Sequence, residues 1–302
     1  MLRNASASSI PPDLLEHLNY IELYTSRVVR SALMGDYRSR VRGHGFDFDQ
    51  HKKYQQGDDF RQIDWNVFAR MEEVFVKRKF EDKELNSVIV ADVSASMEFT
   101  TTAISKKELL LHLAATLAFS AAAENIGVGL LAFTNCVEEY IAPGKGRKQA
   151  WKIVERLWNL RPEQRGTDHA APLAFLNSKL KKSCLLFCLS DFAGERSMFE
   201  SPFLKMIVKK HDFVPIVVED RLESRLPAAS GFVRLRDMEH RHETVVRFSG
   251  RDRQKHDLKA EERRRGLQQS FYSLGLDHLW LRPDQPYLNP VLEFFLNRKR
   301  RR

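Results

Sequence analysis

The chain has 302 residues, 43% of them hydrophobic and 29% charged, the balance of a folded globular protein rather than a disordered or fibrous one. No apolar run approaches the roughly 18 residues of a spanning helix, and the N-terminal MLRNASASSIPPD lacks the apolar core of a secretory leader, so the expected location is cytoplasmic. The formal charge of +9 is mostly C-terminal, since residues 221–302 hold 19 Lys/Arg against 11 Asp/Glu.

Apolar positions Leu15, Leu18, Ile21, Leu23, Val28, Val29 and Leu33, opened by Pro11-Pro12-Asp13, predict a helix over residues 14–34. Residues 35–64 lack periodicity and read as ordered loops or short strands, followed by a short strand at Val74-Phe75-Val76. From Ser87 onward strands and helices alternate, the pattern of a parallel sheet covered on both faces. Strands are predicted over 87–92, 127–133, 184–190 and 213–218, with an extended piece at 137–142. Helices are predicted over 104–125, 146–160, 168–180 and 198–211. Beyond Asp220 come a half-exposed strand at 232–235, a charged helix over 251–274, a strand at 279–281 and a last helix over 288–296. The chain is expected to divide into an N-terminal helix and ordered segment (1–83), a core (84–220) and a C-terminal extension completing the fold (221–302).

The chemistry concentrates where the apolar run Val88-Ile89-Val90-Ala91 opens into Asp92-Val93-Ser94-Ala95-Ser96. One carboxylate and two hydroxyls on short side chains form the oxygen-only donor set that a hard cation such as Mg²⁺ prefers. Two further loops offer oxygens at the ends of their own elements: Arg165-Gly166-Thr167-Asp168 and Leu189-Ser190-Asp191-Phe192. In an open α/β sheet such loops converge at the carboxyl ends of the strands.

Residues 84–220 resemble a von Willebrand factor A-type domain with a metal-ion-dependent adhesion site, in which an Asp-x-Ser-x-Ser loop, a later Thr and a still later Asp surround one cation. The resemblance implies a Rossmann-like, doubly wound, mostly parallel α/β sheet with N- and C-terminal elaborations. It also implies metal roles for Asp92, Ser94, Ser96, Thr167 and Asp191, with Mg²⁺ as the cation and Mn²⁺ or Ca²⁺ as alternatives. A second block, Gly57-Asp58-Asp59-Phe60-Arg61-Gln62-Ile63-Asp64-Trp65 with Ala69-Arg70, resembles the signature of the bacterial family called domain of unknown function 58. So does Pro286-Tyr287 with Leu292-Glu293-Phe294-Phe295 and the basic end, and together these matches span about residues 40–300. That resemblance implies a non-enzymatic, metal-dependent adaptor or co-chaperone whose partner is a MoxR-type AAA+ ATPase or its client. The chain itself has no Gly-x-x-x-x-Gly-Lys-Ser/Thr loop for ATP. It departs from the pattern in Ser190-Asp191-Phe192, where many such domains have Asp-Gly, and in Arg165, where a second glycine is common.

Blander readings stand beside these. Thr167 or Asp168 can cap the helix that follows, and Asp191 can be a capping carboxylate. The Asp58-to-Arg70 block reads as a structural tie of opposed charges with Trp65 buried. Asp64 followed by Glu81-Asp82-Lys83 matches the Asp plus Glu-x-Lys pattern of Mg²⁺-dependent nucleases, which makes Asp64, Glu81 and Lys83 the enzyme-class alternative. Arg263-Arg264-Arg265 and the tail at 298–302 read as a solvated helix face and a frayed end rather than a nucleic-acid footprint, because no aromatic interleaving accompanies them. Cys136, Cys184 and Cys188 are too few for a disulfide framework and read as small apolar residues. The histidines show no zinc spacing.

Overall fold

The apolar runs become the inner strands of one sheet, and burial of nearly every residue in them explains why they read as unbroken hydrophobic stretches rather than alternating ones. The computed structural model describes residues 10–24, 42–55, 60, 63–71, 73–82, 85–193, 197–227, 231–236 and 243–301. In chain order the elements begin α1 (Pro12–Tyr24), β1 (Arg42–Lys53), α2 (Trp65–Met71), β2 (Phe75–Asp82), β3 (Asn86–Asp92) and α3 (Lys106–Ala123). There follow β4 (Gly127–Phe133), β5 (Val137–Gly144), α4 (Arg147–Asn159), α5 (Ala170–Lys179), β6 (Cys184–Ser190), α6 (Ser197–Glu200) and α7 (Pro202–Lys210). The last are β7 (Asp212–Val218), α8 (Arg221–Ser224), β8 (Gly231–Arg236), β9 (Glu243–Phe248), α9 (Gly250–Ser273), β10 (Leu279–Leu281) and α10 (Leu288–Arg301). They form two compact units, Met1–Met34 with Asn86–Arg302, and Gly35–Leu85.

The larger unit holds a six-stranded sheet in the order β10-β7-β6-β3-β4-β5, parallel throughout except for β5, which pairs antiparallel with β4 at one edge. This is the expected doubly wound α/β fold. Alternate side chains point to opposite faces. Val88, Val90, Leu186 and Cys188 join Leu173 and Leu176 of α5, Leu204 and Ile207 of α7, and Leu267 and Phe271 of α9 in one core. Toward the opposite face Phe187 meets Phe295 of α10, with ring centroids 5.7 Å apart. Helix α3 starts in a reciprocal cap, with Glu108 N–H donating to Ser105 Oγ (3.1 Å) and Ser105 N–H to Glu108 Oε2 (3.5 Å). Its buried hydroxyls bond back to the helix, Thr116 to the His112 carbonyl and Ser120 to that of Thr116.

Strand order places the site. The chain leaves β3 for β4 on one side and later returns to β6 on the other, so the carboxyl ends of β3 and β6 flank a topological switch point. Ala91 stands opposite Leu189 in the parallel register, and one step on Asp92 comes beside Ser190.

The predicted helix over 14–34 is observed as α1, with Leu14, Leu18 and Ile21 buried; residues 25–34 lie outside the described residues. In the smaller unit, residues expected as loops or short strands form the 12-residue β1, paired antiparallel with β2. Two register shifts, between Gly43 and Asp47 and between Phe48 and Gln50, interrupt the two-residue period that would have revealed it. Trp65, expected inside, is 63% exposed. The inward side at the start of this two-turn helix is taken by buried Asp64 and by the Ile63–Val76 bridge.

The C-terminal end is also not frayed as expected. Arg298 is buried and donates to Asp212 Oδ1 (2.8 Å) and Oδ2 (3.0 Å) and to Asp277 Oδ2 (2.7 Å). A guanidinium can span two carboxylates from separate elements, which ties α10 to β7. Among the described residues no helix is long and apolar enough to cross a membrane.

Candidate metal centre

Asp92 ends β3 fully buried. Its Oδ1 accepts the Ser94 N–H at 3.0 Å and its Oδ2 accepts the Ser190 hydroxyl at 2.6 Å. The short turn after the strand brings Ser94 Oγ within 3.0 Å of Ser96 Oγ. Asp191, immediately past β6, is 1% exposed. One of its oxygens accepts the Ala193 N–H at 2.8 Å and the other accepts Lys106 Nζ at 2.8 Å. Three of the five sequence-derived residues, Asp92, Ser94 and Ser96, are therefore joined by hydrogen bonds, and Asp191 stands close enough for its charge to act on Asp92.

Thr167 is half-buried in the second loop, which is stitched to the other two on either side of it. The Arg165 carbonyl accepts the Ala95 N–H at 3.0 Å, and His169 Nε2 lies 3.3 Å from Ser190 Oγ. Glu138 pins the approach to this loop by accepting the N–H groups of Glu163 (3.0 Å) and Gln164 (3.2 Å). Asp168 Oδ1 accepts the Ala170 N–H at 2.7 Å, while the N-cap of α5 is neither Thr167 nor Asp168 but His169, whose side chain makes no capping bond. The Arg165 side chain is exposed.

Electrostatics separates the two aspartates. Burial pushes the Asp92 carboxyl up, and the neighbouring Asp191 charge adds to it, against the bonds from Ser190 and Ser94; the result is about 6. For Asp191, burial is outweighed by the Lys106 ammonium and the hydrogen bonds, and its carboxyl is held below the ordinary range. Lys106 is completely buried, yet Asp191 and Glu223 (2.5 Å) overcome burial and hold its ammonium above the ordinary lysine value.

Two carboxylates, Asp191 and Glu223, thus share one ammonium, while Asp92, whose own carboxyl feels the Asp191 charge, has no cation among the groups bonded to it. Among the described residues no cluster of three or more His, Cys, Asp or Glu has the arrangement of a metal site. The Asp92 set is of another kind, two carboxylates with hydroxyls. Its hard oxygen donors and its unneutralised buried carboxylate suit a small divalent cation.

Ser190, Lys106 and Glu223 were not foreseen. Ser190 adjoins Asp191 at the strand end, where its role is visible only once β6 lies beside β3. Lys106 did carry a signal, because a cation in the first turn of a helix opposes the dipole unless an acid faces it.

Of the alternative set, Asp64 is the member whose side chain is described. Asp64 is buried and its Oδ1 accepts the Val67 N–H at 3.4 Å, a capping contact for α2. Glu81 is placed on β2 opposite Gly43, and Lys83 lies outside the described residues, as do Asp58, Asp59 and Arg61. Arg263 and Arg264 lie 3.4 Å and 3.7 Å from the carboxylate of Glu219, and Arg265 2.5 Å from Glu261. Cys184 and Cys188 are buried, and burial raises both thiols, Cys184 to about 11; all three cysteines are free.

An uncharacterized protein of Mycobacterium tuberculosis is 26% identical over 294 residues, covering 96% of this chain and 91% of the relative. Among solved structures, the conserved hypothetical protein BatB from Bacteroides thetaiotaomicron aligns at 13% identity and a TM-score of 0.45, over 72% of this chain and all of that one. A von Willebrand factor type A protein from Catenulispora acidiphila aligns at 12% identity and a TM-score of 0.37, over 73% of this chain and 43% of that one. The family profile described as protein of unknown function DUF58 matches residues 50–266, and the chain belongs to that family.

Proposed function

We propose that this member of the DUF58 family is a non-enzymatic, divalent-cation-dependent protein-binding module, with Asp92, Ser94, Ser96, Thr167 and Asp191 as the cation's direct or water-mediated ligands. The observation that carries the reading is the buried pair Asp92 and Asp191, of which, among the described residues, Asp191 is bonded to a cation and Asp92 is not. When bound, Mg²⁺, or Mn²⁺ or Ca²⁺ in its place, supplies positive charge with a position that an outside carboxylate can fill.

Asp92 provides the charge, and its orientation is set from two sides by Ser94 N–H and Ser190 Oγ. Ser94 and Ser96 add neutral oxygens, so the donor set leaves a dication under-neutralised and open to an acidic side chain. Exposed Arg165 stands on the same loop as Thr167 and adds attraction for that acid. The partner class in this reading is a MoxR-type AAA+ ATPase or its client, with the chain as adaptor or co-chaperone. It rests on the family resemblance and on the missing phosphate-binding loop, which leaves ATP hydrolysis to another protein.

The test is affinity capture on the full chain from the native cell, with Mg²⁺ and with EDTA, alongside Asp92→Asn. An AAA+ ATPase or its client retained only with Mg²⁺ and only by the wild-type chain supports the reading. Identical eluates in all conditions overturn it.

A further inference from the structure

Lys106 is the first residue of α3, directly after the Ser105 cap, which sets its ammonium at the positive end of the helix dipole. It is also completely buried. Each circumstance disfavours a cation, and what offsets them is a pair of carboxylates from two other elements: Asp191 Oδ2 at 2.8 Å and Glu223 Oε1 at 2.5 Å. Glu223 is aimed by the fold, not by the lysine alone. Its Oε2 accepts the Asp220 N–H at 2.8 Å within the cap of α8, and Asp220 in turn accepts Thr101 N–H (3.1 Å) and Thr101 Oγ1 (2.5 Å) from the loop after Ser96.

We propose that Lys106 is the positioning residue that sets the charge of the cation site: it occupies one oxygen of Asp191, so that Asp191 acts on the cation through water, while Glu223 shares the ammonium and keeps the buried cluster acidic. This inference rests on the cation reading above. Counted together, Asp92, Asp191, Glu223 and Lys106 carry a formal excess of two negative charges, but among the described residues Asp92 alone offers an unshared carboxylate, so an ion held there stays open to an outside acid. Removing Lys106's charge raises the excess to three, and removing Glu223's lowers it to one. Neither side chain is a ligand, so both act at a distance and with opposite sign. For a unit charge and a divalent ion about 10 Å apart at an effective dielectric of about 20, each change corresponds to at least about tenfold in affinity.

The experiment is calorimetric titration of Mg²⁺, and in parallel Mn²⁺, into the full-length protein and three variants. Lys106→Met is expected to bind at least about tenfold more tightly and Glu223→Gln at least about tenfold more weakly. The double variant K106M/E223Q restores the wild-type charge and is expected within about threefold of wild type. A purely structural lysine predicts instead that the double variant is no better than the worse single. If K106M alone does not fold, the comparison of E223Q with the double variant still decides. Unchanged affinity in E223Q, or a double variant weaker than E223Q, overturns this role while leaving the cation reading in place. Absence of binding heat in the wild-type chain for both ions overturns the cation reading itself, and this role with it.

Discussion

Ser190 Oγ donates to Asp92 Oδ2 at 2.6 Å across two neighbouring parallel strands, and the same oxygen accepts the Phe192 N–H at 2.9 Å. One hydroxyl therefore joins the first and third loops of the site. Ser190→Ala leaves a buried carboxylate oxygen and a buried N–H without that partner, and is expected to cost about 1–3 kcal/mol in urea denaturation. It is also expected to move Asp92 further up, because the lost bond favours the charged form. A carboxyl NMR titration in which Asp92 stays where it was contradicts this assignment.

The raised Asp92 gives a pH dependence of definite sign. Its folded value of about 6 exceeds the ordinary 3.8, so between those values the folded chain binds more protons than the unfolded one, and the Asp92 contribution to stability falls as pH rises. Asp92→Asn abolishes that fall and can still accept from Ser94 N–H. Without divalent ions it is expected to be more stable than wild type above about pH 6 by roughly 2–3 kcal/mol, and nearly equal at pH 4. Chemical denaturation in EDTA across this range checks it, and a variant less stable at pH 7.5 contradicts it.

His112 acts in the opposite sense. Burial pushes its ring down to about 4, with His17, 4.4 Å away between ring centroids, adding to the effect. The unfolded chain then binds more protons between about 4 and 6.5, so this residue's contribution to stability is lost as pH falls through that window. Among the described residues its Nε2 has no hydrogen-bond partner, and His112→Phe keeps a ring against Tyr287, 6.0 Å away. The acid limb of the variant's stability curve is expected to be shallower by up to about 1.4 kcal/mol per pH unit. A parallel limb argues against His112 as its source.

Arg298 offers a test outside the site. Replacing it with Met removes the cation that Asp212 and Asp277 share. The expected loss is about 1.5–3 kcal/mol, as for charged hydrogen bonds lost where both carboxylates keep some contact with water. Urea denaturation measures it, and a loss under about 1 kcal/mol contradicts the tie between α10 and β7.

Strands β3, β4, β6 and β7 were legible because a strand covered on both faces must be apolar at every position, and the hydrophobic run and the strand then coincide. Asp92, Ser94, Ser96 and Asp191 were legible for a related reason: short oxygen-bearing side chains at the end of such a run stand where the sheet opens a crevice. Local sequence thus determined the sheet, its class and the short polar residues that gather at the strand ends. It could not determine the site's charge. Asp191, Lys106 and Glu223 come from segments far apart in the chain, and whether a lysine lies in water or inside a protein depends on which segments close around it. The same holds where expectation failed: Trp65 faces out and Arg298 faces in, because burial is a property of packed neighbours and not of the residue.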